Sequence, residues 1–175
     1  MGNDLYERIS RLRSKSGYRG INFEGTLRTV NVIVTAMMYL VYILLLLELF
    51  KKKRWGDLVL LIGTTGSGFV LVTVLRRLIA APRPFEVYRF TPMLGRHRPS
   101  LSFPSRHLYS AAVITAASVW VFGWQTVYFN GVITLLLAAV RVIGGVHFIR
   151  DVVAGAAIGA LFGGIGFWVI PWLCQ

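Results

Sequence analysis

Four stretches of the chain contain no Asp, Glu, Lys or Arg: Thr29–Leu47, Leu58–Leu75, Leu108–Val140 and Val152–Gln175. A single bilayer crossing takes about 20 apolar residues. The third stretch is 33 residues long, so it divides best at Phe-Gly-Trp-Gln (122–125) into two short helices. The pattern therefore predicts five spans, at about 29–50, 57–80, 107–122, 126–142 and 151–172. Residues 1–28 are polar. Within them Leu5, Ile9 and Leu12 recur at helical spacing among Arg8, Arg11, Arg13 and Lys15, the pattern of a short basic amphipathic helix lying on a membrane surface; a frayed polar tail is the alternative. The expected fold is an all-α integral membrane protein, a five-span helical bundle preceded by a short amphipathic N-terminal helix. There are no internal repeats, and residues 29–175 read as one transmembrane domain. Its longest interruption is 82–106, rich in Pro and Arg, which reads as a loop or a pair of short interfacial helices.

Composition strengthens this reading. The 175 residues are 55% hydrophobic with a mean hydropathy of +0.64, too apolar for an ordinary soluble domain. Charge is sparse but lopsided, with 19 Lys+Arg against 7 Asp+Glu and a net charge of +12. A basic excess suits nucleic acid, anionic lipid or a phosphorylated substrate. The position of the arginines at span ends argues against nucleic acid. One cysteine, Cys174, allows no internal disulfide and no Cys-based metal site. The N-terminus lacks the form of a signal peptide, and Tyr6 breaks the myristoylation pattern. Lys51–Arg54 is most simply a topology signal, the small residues of 155–166 a helix-packing surface, and most Trp and Tyr interfacial anchors.

Parity then gathers the polar residues. If the spans alternate in direction, four sites share one membrane face: the end of the second span, the start of the third, the end of the fourth and the start of the fifth. Arg76, Arg83, Arg106 and Arg141 would converge there with Ser105, His107, His147 and Asp151. Ionisable residues at this depth are costly and mark function by default. Arginine's planar fork matches phosphate oxygens, and the lack of an acidic cluster to neutralise these arginines suggests that an anion completes the site. Arg76 and Arg83, seven apart, share a face if the helix persists to Pro82. Ser105 precedes a helix start, where free N–H groups favour an anion. His147 and Asp151, four apart, would be neighbours on a helical face; the carboxylate then accepts from one imidazole nitrogen and leaves the other as a nucleophile. His107 is suited to protonating a leaving oxygen.

These residues resemble the three motifs of the type 2 phosphatidic-acid phosphatase superfamily, which also includes the vanadium haloperoxidases. Against K-x6-R-P the chain reads Arg76-x6-Arg83-Pro84. Against P-S-G-H it reads Pro104-Ser105-Arg106-His107. Against S-R-x5-H-x3-D it reads Val140-Arg141-x5-His147-x3-Asp151. Order and internal spacing agree in all three, over roughly residues 57–165. There are three departures: Arg76 for lysine, Val140 for serine and Arg106 for glycine. The resemblance implies that His147 attacks phosphorus to form a phosphohistidine, with Asp151 orienting it. His107 would serve as acid and then base. Arg76, Arg83, Ser105 and Arg141 would hold the phosphoryl oxygens, with no metal and no cofactor. Arg106 is expected at the rim, facing the headgroup or the part of the substrate beyond the cleaved phosphate. Arg98 is a second rim candidate, although Arg89, Arg96, His97 and Arg98 read first as interfacial anchors.

The function this implies is a multi-pass cell-membrane lipid phosphatase whose partners are the bilayer and a membrane lipid phosphate. Undecaprenyl pyrophosphate is the first choice of substrate, ahead of phosphatidylglycerophosphate and phosphatidic acid. A lipid phosphotransferase is a second enzyme reading, and a membrane scaffold or lipid transporter the non-enzyme one. Haloperoxidases share the anion site, but those relatives are soluble. Most bacterial relatives face the active site outward, and the same is expected here. The charge distribution pulls the other way, since 15 of the 19 basic residues fall on the active-site face, which the positive-inside rule would place in the cytoplasm.

Overall fold

The computed structural model describes residues 22–95 and 100–173. Helix α1 spans Phe23–Lys51, α2 Trp55–Ile79, the short α3 Pro84–Val87, α4 Arg106–Phe122 and α5 Thr126–Ile143. Helix α6, Ile149–Gly164, continues through a π-helical turn (Ile165–Val169) into α7, Ile170–Leu173. Among the described residues all regular structure is helical. The stretches 23–51, 55–87, 126–143 and 149–173 are each long and apolar enough to cross a membrane. Large side chains such as Leu40, Val59, Val70 and Leu135 lie exposed on their outer faces. In water such a surface would be a liability; in a bilayer it is the face turned to acyl chains. The chain is a multi-pass membrane protein.

Helix α4 is the hub. It packs against α1, α2, α5 and α6, and much of it is buried, including Tyr109, Ala111, Val113 and Ala117. Its closest partner is α6, for a steric reason. A Cβ at Gly155 would run into the Ser105 carbonyl, one at Gly159 into the Tyr109 carbonyl and one at Gly163 into Ala116. Three glycines four apart thus let the two backbones meet, as small residues do between membrane helices. Tyr109 crosses in the other direction, its hydroxyl donating to the Thr65 carbonyl of α2 at 3.0 Å.

Helix ends follow local chemistry. Asn22 caps α1 by accepting from Gly25 N–H at 2.9 Å, so the helix that carries the first apolar stretch already starts at Phe23. Residues 23–28 therefore belong to α1. The rest of the expected amphipathic segment lies outside the described residues. The division expected at 122–125 falls at Gly123, whose φ of +95° takes the chain out of α4 in a conformation glycine adopts readily. The interruption 82–106 contains one short helix, α3, among its described residues.

Candidate active site

Helix α2 stops before Pro82: Ala80 turns left-handed (φ +45°) and its N–H closes the last turn on the Arg76 carbonyl at 3.0 Å. Arg83 is extended, outside any helix. Arg76 and Arg83 therefore do not share a helical face, contrary to what their spacing suggests. They meet instead on a backbone carbonyl. Arg76 Nη2 and Arg83 Nη2 both donate to Leu101 O, the latter at 3.3 Å. Arg76 Nη1 also donates to Ser102 O at 3.2 Å and Pro104 O at 2.6 Å, and Arg83 Nη1 to Val146 O at 3.0 Å. Loop 100–105 is thus pinned to two guanidiniums, and each guanidinium is held in a fixed attitude. Glu86 fixes the outer end of the loop, accepting from Arg83 N–H at 2.7 Å and Ser100 N–H at 2.9 Å.

His147 and Asp151 are paired, but not along a helix face. His147 lies in the turn before α6, and Asp151 sits in the first turn of α6. The carboxylate reaches back over the helix start. Its Oδ2 accepts from Phe148 N–H at 2.9 Å and stands 3.5 Å from His147 Nδ1. Ser102 Oγ donates to the same oxygen. All three side chains are buried: His147 is 3% exposed, Ser102 and Asp151 0%. Burial drives the imidazole well below its ordinary value, to about 4, against an upward pull from the hydrogen bond and charge of Asp151. At neutral pH the ring is uncharged, and with Nδ1 towards Asp151 its Nε2 is the nitrogen left for chemistry.

Helices α4 and α6 are tied where they start, by Ser105 N–H donating to the Asp151 carbonyl at 2.9 Å. Ser105 is the residue before α4 and does not cap its own helix with its side chain. Its Oγ is buried without a hydrogen-bond partner among the described residues, as is Arg141 Nε. Arg141 lies in the last turn of α5, 5% exposed, and its carbonyl accepts from His147 N–H at 3.3 Å. Arg106 and His107 occupy the first turn of α4 and are half-buried. The Arg106 guanidinium carbon lies 5.6 Å from the centre of the Phe69 ring.

The structure thus joins Arg76, Arg83, Arg141, Ser105, His147 and Asp151 through direct bonds or shared backbone, with Arg106 and His107 on the adjoining helical turn. Arg98 lies outside the described residues. Three arginines at most 6% exposed make an electropositive cluster whose charge an oxyanion would help to balance. Sequence reasoning missed Ser102 and the carbonyls of Leu101, Pro104 and Val146. Ser102 stands directly beside the 103–107 cluster, and that adjacency was the only signal available for it; the carbonyls carry none.

A family model described as the PAP2 superfamily matches residues 57–174. Among curated proteins, phosphatidylglycerophosphatase B of Bacillus subtilis is 31% identical over 122 residues, 64% of this chain and 57% of that protein. Undecaprenyl-diphosphatase BcrC of the same organism is 29% identical over 149 residues, 82% of this chain and 75% of that protein. Lipid A 1-phosphatase of Rhizobium etli is 34% identical over 98 residues, 53% of this chain and 41% of that protein. The aligned region thus spans from under half to three-quarters of these relatives. Two solved structures share the fold. A transmembrane PAP2 type phosphatidylglycerolphosphate phosphatase from Bacillus subtilis has a TM-score of 0.63 at 23% identity, covering 98% of this chain and 96% of that one. Aquifex aeolicus LpxE has a TM-score of 0.64 at 27% identity, covering 81% and 92%.

Proposed function

The chain belongs to the PAP2 superfamily, and from that premise we propose that it is a membrane lipid phosphatase working through a phosphohistidine, with undecaprenyl diphosphate as its first substrate. The observation that carries the reading is the buried His147–Asp151 pair beside three buried arginines. A relative named as an undecaprenyl-diphosphatase, aligned over 82% of this chain, supports the substrate; phosphatidylglycerophosphate is the alternative, from the name of another relative.

In the first step His147 Nε2 attacks phosphorus, forming a P–N bond as the P–O bond to the leaving group breaks. His107 gives its proton to the departing oxygen. Arg76, Arg83 and Arg141, with Ser105, stabilise the charge that spreads over the equatorial oxygens. The bonds from Arg76 and Arg83 to carbonyls orient these donors before substrate arrives, so little reorganisation is needed at the reaction. Asp151 holds the ring and stabilises the positive charge that develops on it. In the second step water attacks phosphorus, His107 takes its proton, the P–N bond breaks and inorganic phosphate leaves.

The test is phosphate release from a panel of lipid phosphates and diphosphates by the wild type and by His147→Ala. Release that survives the substitution would remove His147 as nucleophile, and no release by the wild type from any lipid would refute the phosphatase. The same reading puts the active site on the outer face, with Lys51–Arg54 in the cytoplasm. Membrane-impermeant thiol labelling of a cysteine introduced near residue 10 should then succeed in intact cells; protection there would reverse the orientation.

A further inference from the structure

A cavity of about 170 Å³ adjoins the proposed site at His107, between α1, α2, α4 and α5. Its wall changes character along its length. At the top are Arg106, His107, Ser110 and Thr35; below them it is apolar, with Met38, Ala111, Ile114 and Leu137. A second cavity of about 290 Å³ shares Tyr39, Phe69, Ser110 and Ile114 with the first and continues to Tyr42 on α1 and Val113 on α4. Together they form one groove from the catalytic histidine into the apolar belt. It opens between α1 and α2, where Tyr39 and Phe69 are 63% and 41% exposed.

Arg106 stands at the head of this groove and differs from its neighbours. Arg76 and Arg83 each commit part of their donors to backbone carbonyls. Arg106 has no hydrogen bond or ion pair among the described residues; its fixed point is the face of Phe69, 5.6 Å away, a cation–π seat that holds the charge while leaving the N–H groups open. The chemistry says what belongs there. In a lipid diphosphate, the oxygen that His107 protonates is bonded directly to a second phosphorus, the one that stays on the lipid. That retained phosphate must lie one P–O bond beyond the oxygen facing His107, on the side away from the three buried arginines. In a lipid monophosphate the same oxygen is bonded to carbon, and no second phosphorus adjoins it.

We infer that Arg106 and the groove form a subsite for the retained half of a lipid diphosphate, with Arg106 binding the retained phosphate and the first part of the hydrocarbon chain lying against Tyr39, Phe69 and Ile114. The inference rests on the phosphatase reading and sharpens it: Arg106 is the residue that makes this chain select diphosphates over monophosphates.

The test separates binding from turnover. Full-length protein in lipid nanodiscs is titrated with two non-hydrolysable probes, farnesyl methylenebisphosphonate and farnesyl phosphonate. The wild type should prefer the bisphosphonate by about tenfold or more, the scale of one charge-assisted hydrogen bond. Arg106→Gly should lose most of that preference and Arg106→Lys should recover part of it. An unchanged ratio in Arg106→Gly overturns the subsite, as does a wild type with no preference. A farnesyl bisphosphonate carrying a diazirine on its first isoprene unit gives a second measurement on the unaltered protein. Cross-links to the peptides holding Phe69 and Ile114 support the groove; cross-links confined to other helices overturn it. Failure of the phosphatase reading would look different: the probe preference would stand while the wild type released phosphate from no lipid.

Discussion

Removing one hydroxyl, in Ser102→Ala, isolates the support of the proposed nucleophile. Ser102 is fully buried and donates to Asp151 Oδ2, the oxygen that faces His147 Nδ1. Its backbone is held independently: its N–H donates to the Ala81 carbonyl at 3.0 Å and its carbonyl accepts from Arg76 at 3.2 Å. The substitution therefore deletes the hydroxyl and leaves the loop anchored. A hydrogen bond to a charged group is worth about 1.5–3 kcal/mol. Asp151 Oδ2 keeps the Phe148 N–H at 2.9 Å, which argues for the lower half of that range. At about 1.4 kcal/mol per decade, a loss of about 2 kcal/mol is about a 30-fold fall in kcat/KM. Because Asp151 acts on the nucleophile and not on the lipid, the fall should appear in kcat, with KM within about twofold. The assay is phosphate release from a lipid diphosphate in mixed micelles, with thermal unfolding alongside to show that the variant is folded. Turnover within twofold of wild type, or a change confined to KM, would refute the idea that Ser102 positions the acid.

Three further outcomes follow from the geometry. Gly155→Ala places a Cβ 3.1 Å from the Ser105 carbonyl carbon and 3.2 Å from its nitrogen; overpacking of this kind costs about 1–3 kcal/mol, so thermal stability and activity should fall together, whereas Gly164→Ala, with open space around it, should leave melting unchanged or slightly raised. Arg76→Lys keeps the charge of the family's usual lysine but cannot reproduce a fork that reaches Leu101, Ser102 and Pro104; kcat/KM should drop about tenfold or more, and wild-type kinetics in this variant would mean that the fork is dispensable. His147 should stay neutral as pH falls from about 6.5, the ordinary imidazole value, to about 4. Over that window the unfolded chain takes up a proton that the native site refuses, so stability declines on acidification; histidine NMR in micelles would read the titration, Asp151→Asn should lower it further by removing the upward pull, and a midpoint near 6.5 would contradict the burial argument.

What the sequence made legible and what it hid divide along a physical line. The spans were legible because a bilayer imposes a length and an apolar composition on every crossing, and those are properties of side chains. Even the division of 108–140 could be placed, because Gly123 is the residue that tolerates the required backbone turn. The convergence of Arg76, Arg83, Ser105, His147 and Asp151 could be foreseen from parity alone, since alternating helices return each marked end to one face. The means of convergence could not. The sequence spacing suggested that Arg76 and Arg83 ride one helix and that His147 and Asp151 ride another. In fact Ala80 ends α2 three residues before Arg83, and α6 starts only at Ile149, two residues after His147. Both pairs are assembled across helix termini by backbone groups: the Leu101 carbonyl for the arginines, the Phe148 N–H for the carboxylate. Every residue has such groups, so no residue type announces them. A helix interior has already used its backbone donors and acceptors, and only a terminus or a loop has them to spare. That is why the chemistry of this bundle gathers where its helices end, and why a change such as Gly155→Ala, which alters no charged or catalytic side chain, is expected to reach it.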